Sequence, residues 1–352
     1  MARGNGLSSA DRPILITGAA GFIGAAVAEQ LLQCGERVLG LDNLNPYYSP
    51  ALKRARLERL QALAGREDRF AFVQLDLEDN AAMAALFARE RPRAVVHLAA
   101  QAGVRYSIDH PAAYIQSNVV GFGHVLEGCR HQGVEHLVYA SSSSVYGGNR
   151  HLPFSEQQPV NHPLSLYAAT KKANELMAHT YSHLYGLPAT GLRLFTVYGP
   201  WGRPDMAPML FARAILAGEP IRVFNGGQMR RDFTYIDDVV EGVVRCLNKP
   251  ATSDLSFDPL APNPATAAVP HRLFNIGNAQ PVELLRFIQL LEQALGREAI
   301  KQFESMQPGD VVETGADCCA LENWIGFQPA TALSTGLSAF AQWAKIHPQF
   351  LG

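Results

Sequence analysis

The chain has 352 residues, of which 47% are hydrophobic and 18% are charged. This length allows two or three domains, and we expect two. The 30 lysines and arginines nearly balance the 32 aspartates and glutamates, which argues against a protein that binds nucleic acid through a global basic field.

Short apolar runs alternate with longer amphipathic stretches from residue 13 onward. The runs that we interpret as buried strands are 14–17, 38–42, 70–76, 94–99, 136–141 and 187–194. Near-continuous apolar strands separated by helical stretches predict a doubly wound parallel sheet with helices on both faces. We place this domain at residues 13–195, after an N-terminal segment 1–12 that we expect to be mobile.

The second half of the chain is more irregular. The run Gly-Pro-Trp-Gly-Arg-Pro at 199–204 predicts a rigid loop, and the segment 250–270 is rich in proline, alanine and serine. We assign residues 196–352 mainly to a substrate-binding domain, and we expect 232–247 to return to the first domain. The stretch 251–269 is predicted to be an exposed loop.

The cysteine pattern and the hydropathy pattern both argue against special classes of protein. The five cysteines form no CxxC pair and have no partnering histidine spacing, so we expect reduced thiols, no disulfide framework and no metal. We find neither a signal peptide nor a run of about 18 apolar residues, so we expect no membrane span and a cytoplasmic location.

A glycine-rich turn follows the first predicted strand. Gly18, Gly21 and Gly24 have the spacing GxxGxxG, which lets backbone N–H groups and a helix N-terminus approach a pyrophosphate. A tight turn without a ligand would have the same sequence. Asp42 ends the second strand, where its carboxylate can accept hydrogen bonds from both ribose hydroxyls. We therefore predict NAD, since an aspartate would repel the additional phosphate of NADP.

Further candidate cofactor contacts lie in this turn and at the ends of the strands. Asp76 and Leu77 close the third strand, and the run 98–101 closes the fourth, although strand-end packing would look the same. The candidates of this region are Gly18, Gly21, Phe22, Ile23, Gly24, Asp42, Asn43, Asp76, Leu77, Ala99, Ala100, Gln101 and Asn118.

Tyr167 and Lys171 lie four residues apart on a predicted helix and therefore share one face. An ammonium group beside a phenol favours the ionised phenolate. The pair thus predicts a base that works near neutral pH, and with it redox chemistry on an alcohol. An ordinary exposed pair of helix residues is the alternative interpretation.

Several strings resemble the extended short-chain dehydrogenase/reductase family, specifically its nucleotide-sugar epimerases and dehydratases. They are TGAAGFIG at 17–24, the acid Asp42, HLAAQAG at 97–103, SSSSVYG at 141–147, YAATK at 167–171 and RDFTYIDD at 231–238. Within that family, the strings 42–54, 195–206 and 306–310 resemble the UDP-glucuronate 4-epimerases. The resemblance implies a Rossmann-type sheet, a smaller C-terminal α/β substrate domain, and NAD that stays bound through turnover.

The resemblance also implies a mechanism. Tyr167 would remove the proton from the sugar 4-hydroxyl, and Lys171 would hold the nicotinamide ribose and lower the pKa of the tyrosine, so that both residues join the cofactor set. Ser142 would hydrogen-bond the reacting hydroxyl. UDP-glucuronate would thus become UDP-galacturonate through a transient 4-keto sugar.

The residues after Ser142 bear on the substrate. Dehydratases of the family carry an acidic pair where this chain has Ser143 and Ser144, so dehydration is disfavoured. We expect the hydroxyls of 142–144 and of Thr196, with Arg203 nearby, to hydrogen-bond a carboxylate at C6 and to prevent its loss as carbon dioxide.

Other substrate contacts follow from family position. The resemblance implies that Arg231 contacts the diphosphate and that Asp310 contacts a ribose. The roles of Arg105, Arg230 and Trp201 remain open at this stage.

The implied partners are a UDP-uronic acid and a second copy of the chain, with neither nucleic acid nor membrane. The dimer would form a four-helix bundle from the stretches 112–132 and 166–185. The alternatives are a UDP-glucuronate decarboxylase, a UDP-glucose/galactose 4-epimerase and, from another class, a non-catalytic NAD-binding sensor. Intact Ser142, Tyr167 and Lys171 argue against the sensor, which has no use for a base.

Overall fold

The computed structural model describes residues 12–65, 69–307 and 311–352. The expectations for residues 1–11 and for Asp310 therefore lie outside the described residues. The strands, in chain order, are β1 (Ile14–Thr17), β2 (Val38–Asp42), β3 (Phe70–Gln74), β4 (Ala94–His97), β5 (His136–Ser142), β6 (Ala189–Leu194), β7 (Thr196–Tyr198), β8 (Pro220–Phe224), β9 (Arg230–Arg231), β10 (Phe233–Tyr235), β11 (His271–Ile276), β12 (Val282–Glu283) and β13 (Ile300–Glu304).

The helices separate these strands along most of the chain. In chain order they are α1 (Phe22–Gln33), α2 (Pro50–Ala64), α3 (Asn80–Glu90), α4 (Tyr106–Asp109), α5 (Pro111–Tyr114), α6 (Gly121–Gln132), α7 (Leu166–Tyr185), α8 (Ala207–Ala217), α9 (Ile236–Leu247), α10 (Leu284–Leu295), α11 (Cys319–Ile325) and α12 (Leu333–Ile346). A π-helical turn, Ile115–Val120, joins α5 to α6.

Within the described residues, seven strands form one parallel sheet in the order β11-β6-β5-β4-β1-β2-β3. The sheet and its helices make a Rossmann-type α/β fold, as predicted. The six strands expected from the sequence coincide with β1–β6 to within two residues at each end. The strand order reverses between β1 and β4, and such a switch point opens a crevice at the carboxyl ends of the strands.

Both faces of the sheet are buried, which explains the continuous apolar runs. Ile14 and Ile16 belong to the core that α1 and α9 cover, whereas Leu15 belongs to the core under α3 and α6. Successive strand residues point to opposite faces of the sheet. Because both faces are buried, apolar residues do not alternate with polar ones along these strands.

A separate core lies in the C-terminal part, where α8, α10 and α12 pack together beside the parallel pair β8–β13. The chain also returns to the first sheet, since α9 packs on α1 and β11 pairs with β6. We did not anticipate β11, because His271 and Arg272 interrupt its apolar pattern. The domain limits themselves stay a prediction.

The loop expected at 251–269 contains neither a helix nor a strand and exposes Leu255 and Leu260. In the described ranges, no helix has the length and apolar character needed to cross a membrane. The same ranges hold no cluster of three or more metal-ligating side chains.

Candidate functional site

A cleft of about 960 Å³ lies at the carboxyl ends of the central strands. One wall comes from the glycine-rich turn and the loops after β2, β4 and β5, and the other from the segments around α8, β8 and β10. The cleft therefore lies where parallel-sheet proteins bind their ligands, between the sheet and the C-terminal part.

The glycine-rich turn forms one end of this cleft. Gly18 has a φ of +74°, and a Cβ atom there would lie 2.7 Å from the amide nitrogen of Ala99. A Cβ at Gly21 would lie 2.9 Å from the carbonyl oxygen of Gly18. Side chains would thus fill the space between β1, the N-terminus of α1 and the loop after β4. The bare turn fits a pyrophosphate held by backbone N–H groups.

Asp42 is placed beside the turn by the end of β2. Its Oδ1 accepts a hydrogen bond from the amide of Leu44 at 2.8 Å, and its Oδ2 accepts one from the amide of Ala20 at 3.3 Å. The ammonium of Lys53 lies 3.8 Å from Oδ1. The carboxylate lines the cleft in a fixed orientation, as a contact to ribose hydroxyls requires.

The structure brings the other strand-end candidates to the same cleft, with one exception. The residues that line it are Phe22, Ile23, Gly24, Asn43, Asp76, Leu77, Ala99, Ala100 and Gln101. Asn118 is not among the lining residues. Its Oδ1 accepts from the amide of Gln101 at 2.8 Å, and its Nδ2 donates to the carbonyl of Gln101 and to Thr170. Asn118 is thus buried and holds the backbone at Gln101, and its contact with the cofactor stays a prediction.

Tyr167 and Lys171 both line the cleft from the first turns of α7. Ser165 caps this helix by accepting a hydrogen bond from the amide of Ala168. The ammonium of Lys171 donates to the carbonyl of Ala140 at 2.8 Å. Burial lowers the pKa of Lys171 to about 8.

The pKa of Tyr167 is subject to effects of opposite direction. Burial raises the pKa of its phenol, and the effects that lower it come from a hydrogen bond with Ser142 and from the charge of Arg203. The ammonium of Lys171 bonds to the carbonyl of Ala140 on β5, and the lowering effect expected of it on the phenol stays a prediction. A hydroxyl group and a cation thus act on the phenol within the cleft.

The residues expected around the sugar carboxylate do lie together. Ser142 ends β5, and its hydroxyl accepts from the amide of Ser144 at 3.1 Å. Ser143, Thr196 and Arg203 line the cleft with them. The structure thus gathers hydroxyl donors and one guanidinium in the cleft that Tyr167 lines.

The position of each arginine separates the expected diphosphate contact, Arg231, from the two arginines whose roles were open, Arg105 and Arg230. Arg231 lines the cleft, whereas Arg230 is exposed and pairs with Glu313 at 2.8 Å. Arg105 also lines the cleft, with its guanidinium 5.0 Å from the ring centre of Phe224. Arg231 and Arg105 are therefore the arginines of this group that can meet a diphosphate.

Trp201 is also placed by the structure. Its ring packs on Trp343 and Phe350, with ring centres 5.5 Å away in each case. It is not among the residues that line the cleft. We assign it to the packing of the substrate loop.

Sequence reasoning missed several charged residues around the cleft. Glu175 and Arg193 form a buried ion pair beneath α7, and Arg193 stood out as one charge within an apolar strand. Tyr47 and Arg56 reach the loop of residues 201–205. The signal for Tyr47 was the pair of specific strings, 42–54 and 195–206, whereas Arg56 lies just beyond the end of the first string.

Comparison with known proteins agrees with this site. Residues 14–257 match the model of the NAD dependent epimerase/dehydratase family. An uncharacterized 37.6 kDa protein of Escherichia coli O111:H- is 54% identical over 331 residues, which cover 94% of this chain and 98% of that protein. A probable UDP-glucuronate 4-epimerase of Rhizobium meliloti is 46% identical over 94% of this chain and 96% of its own length.

Among solved structures, the UDP-glucuronic acid 4-epimerase of Bacillus cereus, in complex with UDP-glucuronic acid and NAD, superposes with a TM-score of 0.83. It is 32% identical, and the match covers 95% of this chain and 99% of that one. The glycine turn, Asp42 and the Tyr167–Lys171 pair, together with the family match over 14–257, identify this chain as a member of the NAD-dependent epimerase/dehydratase family.

Proposed function

We propose that this chain is a UDP-glucuronate 4-epimerase, which interconverts UDP-glucuronate and UDP-galacturonate and keeps NAD bound through turnover. The observation that carries the proposal is the shared cleft, in which Tyr167 lies beside Ser142 and Arg203 below a bare glycine turn. The relatives described above support the same activity.

The proton chemistry belongs to Tyr167. Burial raises the pKa of its phenol, and the hydrogen bond with Ser142 and the charge of Arg203 oppose that rise. The phenolate takes the proton from the sugar 4-hydroxyl, and the phenol returns it after the sugar has turned. Ser142 orients the reacting hydroxyl. Bound NAD supplies a nicotinamide that accepts a hydride from C4 and gives it back.

Two sets of residues hold the cofactor. The glycine turn and the N-terminus of α1 bind the pyrophosphate, and Asp42 binds the adenosine ribose. Lys171, fixed on the carbonyl of Ala140, holds the nicotinamide ribose close to Tyr167.

The substrate is bound at both ends. Arg231 contacts the diphosphate, and Asp310 is retained as a ribose contact on family position alone. Ser143, Ser144 and Thr196 donate hydrogen bonds to the C6 carboxylate. Their contacts keep this carboxylate solvated, so that the 4-keto sugar does not lose carbon dioxide.

The alternatives fit the cleft less well. A UDP-glucose/galactose 4-epimerase handles a neutral C6 group, which would leave the hydroxyl cluster and Arg203 without a charged ligand. A UDP-glucuronate decarboxylase needs a carboxylate that is poorly solvated. A sensor would have no use for the Ser142–Tyr167 contact.

We also propose a homodimer in which α6 and α7 of two chains form a four-helix bundle. Apolar side chains on α7 and on the π-helical turn that leads into α6 are exposed in the single chain. They are Ile115, Val120, Leu176, Leu184 and Tyr185, which are 37% to 60% exposed. Large apolar side chains exposed on these two neighbouring elements are expected to be covered by a second copy.

The decisive experiment is to incubate the purified protein with UDP-glucuronate and no added cofactor, and to identify the products by chromatography and mass spectrometry. A product of unchanged mass that co-elutes with UDP-galacturonate supports the proposal. A product lighter by carbon dioxide would identify a decarboxylase. No reaction, even with added NAD, would direct the search to neutral UDP-hexoses.

A further inference from the structure

A buried arginine joins the glycine-rich turn to the loop that carries Arg203. Arg56 on α2 is 1% exposed, and its Nη1 donates to the carbonyl oxygen of Ala20 at 2.9 Å. Its Nη2 donates to the carbonyl oxygens of Trp201 at 2.6 Å and Gly202 at 2.9 Å. One rigid guanidinium therefore fixes the cofactor turn and the sugar-side loop relative to each other.

The backbone of that loop needs such support. Trp201 has a φ of 62°, a left-handed conformation that a bulky residue keeps only when its surroundings enforce it. Arg56 holds the carbonyl of Trp201 on one side, and Trp343 packs on its ring on the other. These contacts set the direction in which the chain leaves Gly202, and so the starting point of the Arg203 side chain.

A second contact fixes the other end of the same loop. The hydroxyl of Tyr47 donates to Oδ2 of Asp205 at 3.0 Å, and Oδ1 of Asp205 accepts from Nε of Arg203 at 3.1 Å. Burial and the charge of Asp205 raise the pKa of Tyr47 to about 12, so this hydroxyl remains a donor. Tyr47, Arg203 and Asp205 all line the cleft.

We propose that Arg56 and Tyr47 are positioning residues that orient Arg203 toward the sugar carboxylate, and that they thereby decide whether the oxidised uronic acid keeps it. This inference rests on the proposed function. It gives one physical role to the strings 42–54 and 195–206. They are distant in the sequence, yet Tyr47 in one and Arg56, just beyond its end, bond to residues of the other.

The reaction that the loop would control is the decarboxylation of the 4-keto sugar. The C5–C6 bond breaks, its electron pair forms the enolate of the C4 ketone, carbon dioxide leaves, and water gives a proton to C5. Hydrogen bonds from a fixed guanidinium stabilise the carboxylate before this step and so raise its barrier. A displaced Arg203 would lose those bonds, and the barrier would fall.

The test compares the products that purified holoenzymes form from UDP-glucuronate. For Tyr47→Phe and Arg56→Lys we expect the ratio of decarboxylated product to UDP-galacturonate to rise roughly tenfold over the parent, the factor for one hydrogen bond to a charged group. The control is Arg54→Lys, on the exposed side of α2, which should keep the parent ratio. The NAD content of Tyr47→Phe should equal that of the parent.

The outcomes separate this inference from the function on which it rests. If the parent epimerises UDP-glucuronate but Tyr47→Phe keeps the parent ratio, the positioning role is overturned, even where Arg56→Lys does not fold. An equal rise in Arg54→Lys would overturn it as well. A parent that leaves UDP-glucuronate unchanged would instead overturn the proposed function, and this inference with it.

Discussion

The carboxylate of Glu175 accepts hydrogen bonds from Nε and Nη2 of Arg193, at 2.8 and 3.0 Å. Neither side chain is more than 1% exposed. Glu175 lies on α7 about two turns after Tyr167, and it also accepts a hydrogen bond from Ser141 at 2.7 Å. The ion pair thus fixes α7, which carries the proposed base, against β6, and the bond from Ser141 fixes α7 against the end of β5, which carries Ser142.

We expect Glu175→Ala to destabilise the protein by about 3–5 kcal/mol, because it leaves the buried Arg193 charge without its partner. Urea unfolding of the parent and the variant measures the difference. The matched control is the double variant Glu175→Leu with Arg193→Met, which removes both charges and should recover most of the loss. A single variant within about 1 kcal/mol of the parent would contradict this account.

The replacement Tyr167→Phe should lower turnover by at least about 10²-fold, since it removes the group that exchanges the substrate proton. The side chain keeps its ring, so the cleft and the bound NAD should be preserved. Product analysis with UDP-glucuronate and the NAD content of the purified variant are the two measurements. Turnover close to that of the parent would exclude Tyr167 as the base.

The sheet and most of the cofactor cleft could be predicted because they follow from local patterns. Strands β1–β6 are apolar runs, and the carboxyl ends of parallel strands converge, so Gly18, Asp42 and Asp76 had to lie near one another. Arg56 could not be predicted in the same way. A charged residue on an amphipathic helix is usually solvated, and its contact with Trp201 joins residues 145 positions apart.

Buried polar residues also form contacts that the sequence did not predict. Asn118 and Lys171, which we expect to contact the cofactor, each donate a hydrogen bond to a main-chain carbonyl as well. A side chain next to a cleft must first satisfy its own buried polar atoms. The neighbour that accepts or donates the hydrogen bond is set by tertiary contacts, which residue spacing in the sequence does not encode.

Glu156 should make stability depend on pH. It is 3% exposed, accepts from the amide of Asn275, and burial raises its pKa from 4.5 to about 6. The folded state binds the carboxyl proton of Glu156 more tightly than the unfolded state does. The contribution of Glu156 to the free energy of unfolding is therefore full below pH 4.5 and is lost as the pH rises through about 6.

In Glu156→Gln the group no longer titrates, while an oxygen acceptor for Asn275 remains. Relative to the parent, the variant should gain stability as the pH rises from 4.5 to 6, by about 2 kcal/mol in total. Denaturant unfolding of both proteins at pH 4.5 and pH 7 tests this difference. A difference that does not change with pH would refute the assignment.

The proposed dimer predicts that a charged substitution on α7 will turn the dimer into a monomer. Leu176 is 58% exposed in the single chain, and Leu176→Glu would place a charge in the four-helix bundle. We expect the parent to be a dimer and the variant a monomer in size-exclusion chromatography with light scattering. Leu255→Glu, at a position 99% exposed in the 251–269 loop, is the control and should remain dimeric. A monomeric parent would rule out the bundle.

Thr196 tests whether the hydroxyl cluster protects the sugar carboxylate. Thr196 stands at the start of β7, its amide is bonded to the carbonyl of Asp232, and its side chain lines the cleft with Ser143 and Ser144. Thr196→Ala removes one donor without disturbing this backbone contact. We expect more carbon dioxide and UDP-pentose per epimerisation, by roughly three- to tenfold for one hydrogen bond. Mass spectrometry of the products measures the ratio, and a ratio equal to that of the parent would remove Thr196 from the group that holds the carboxylate.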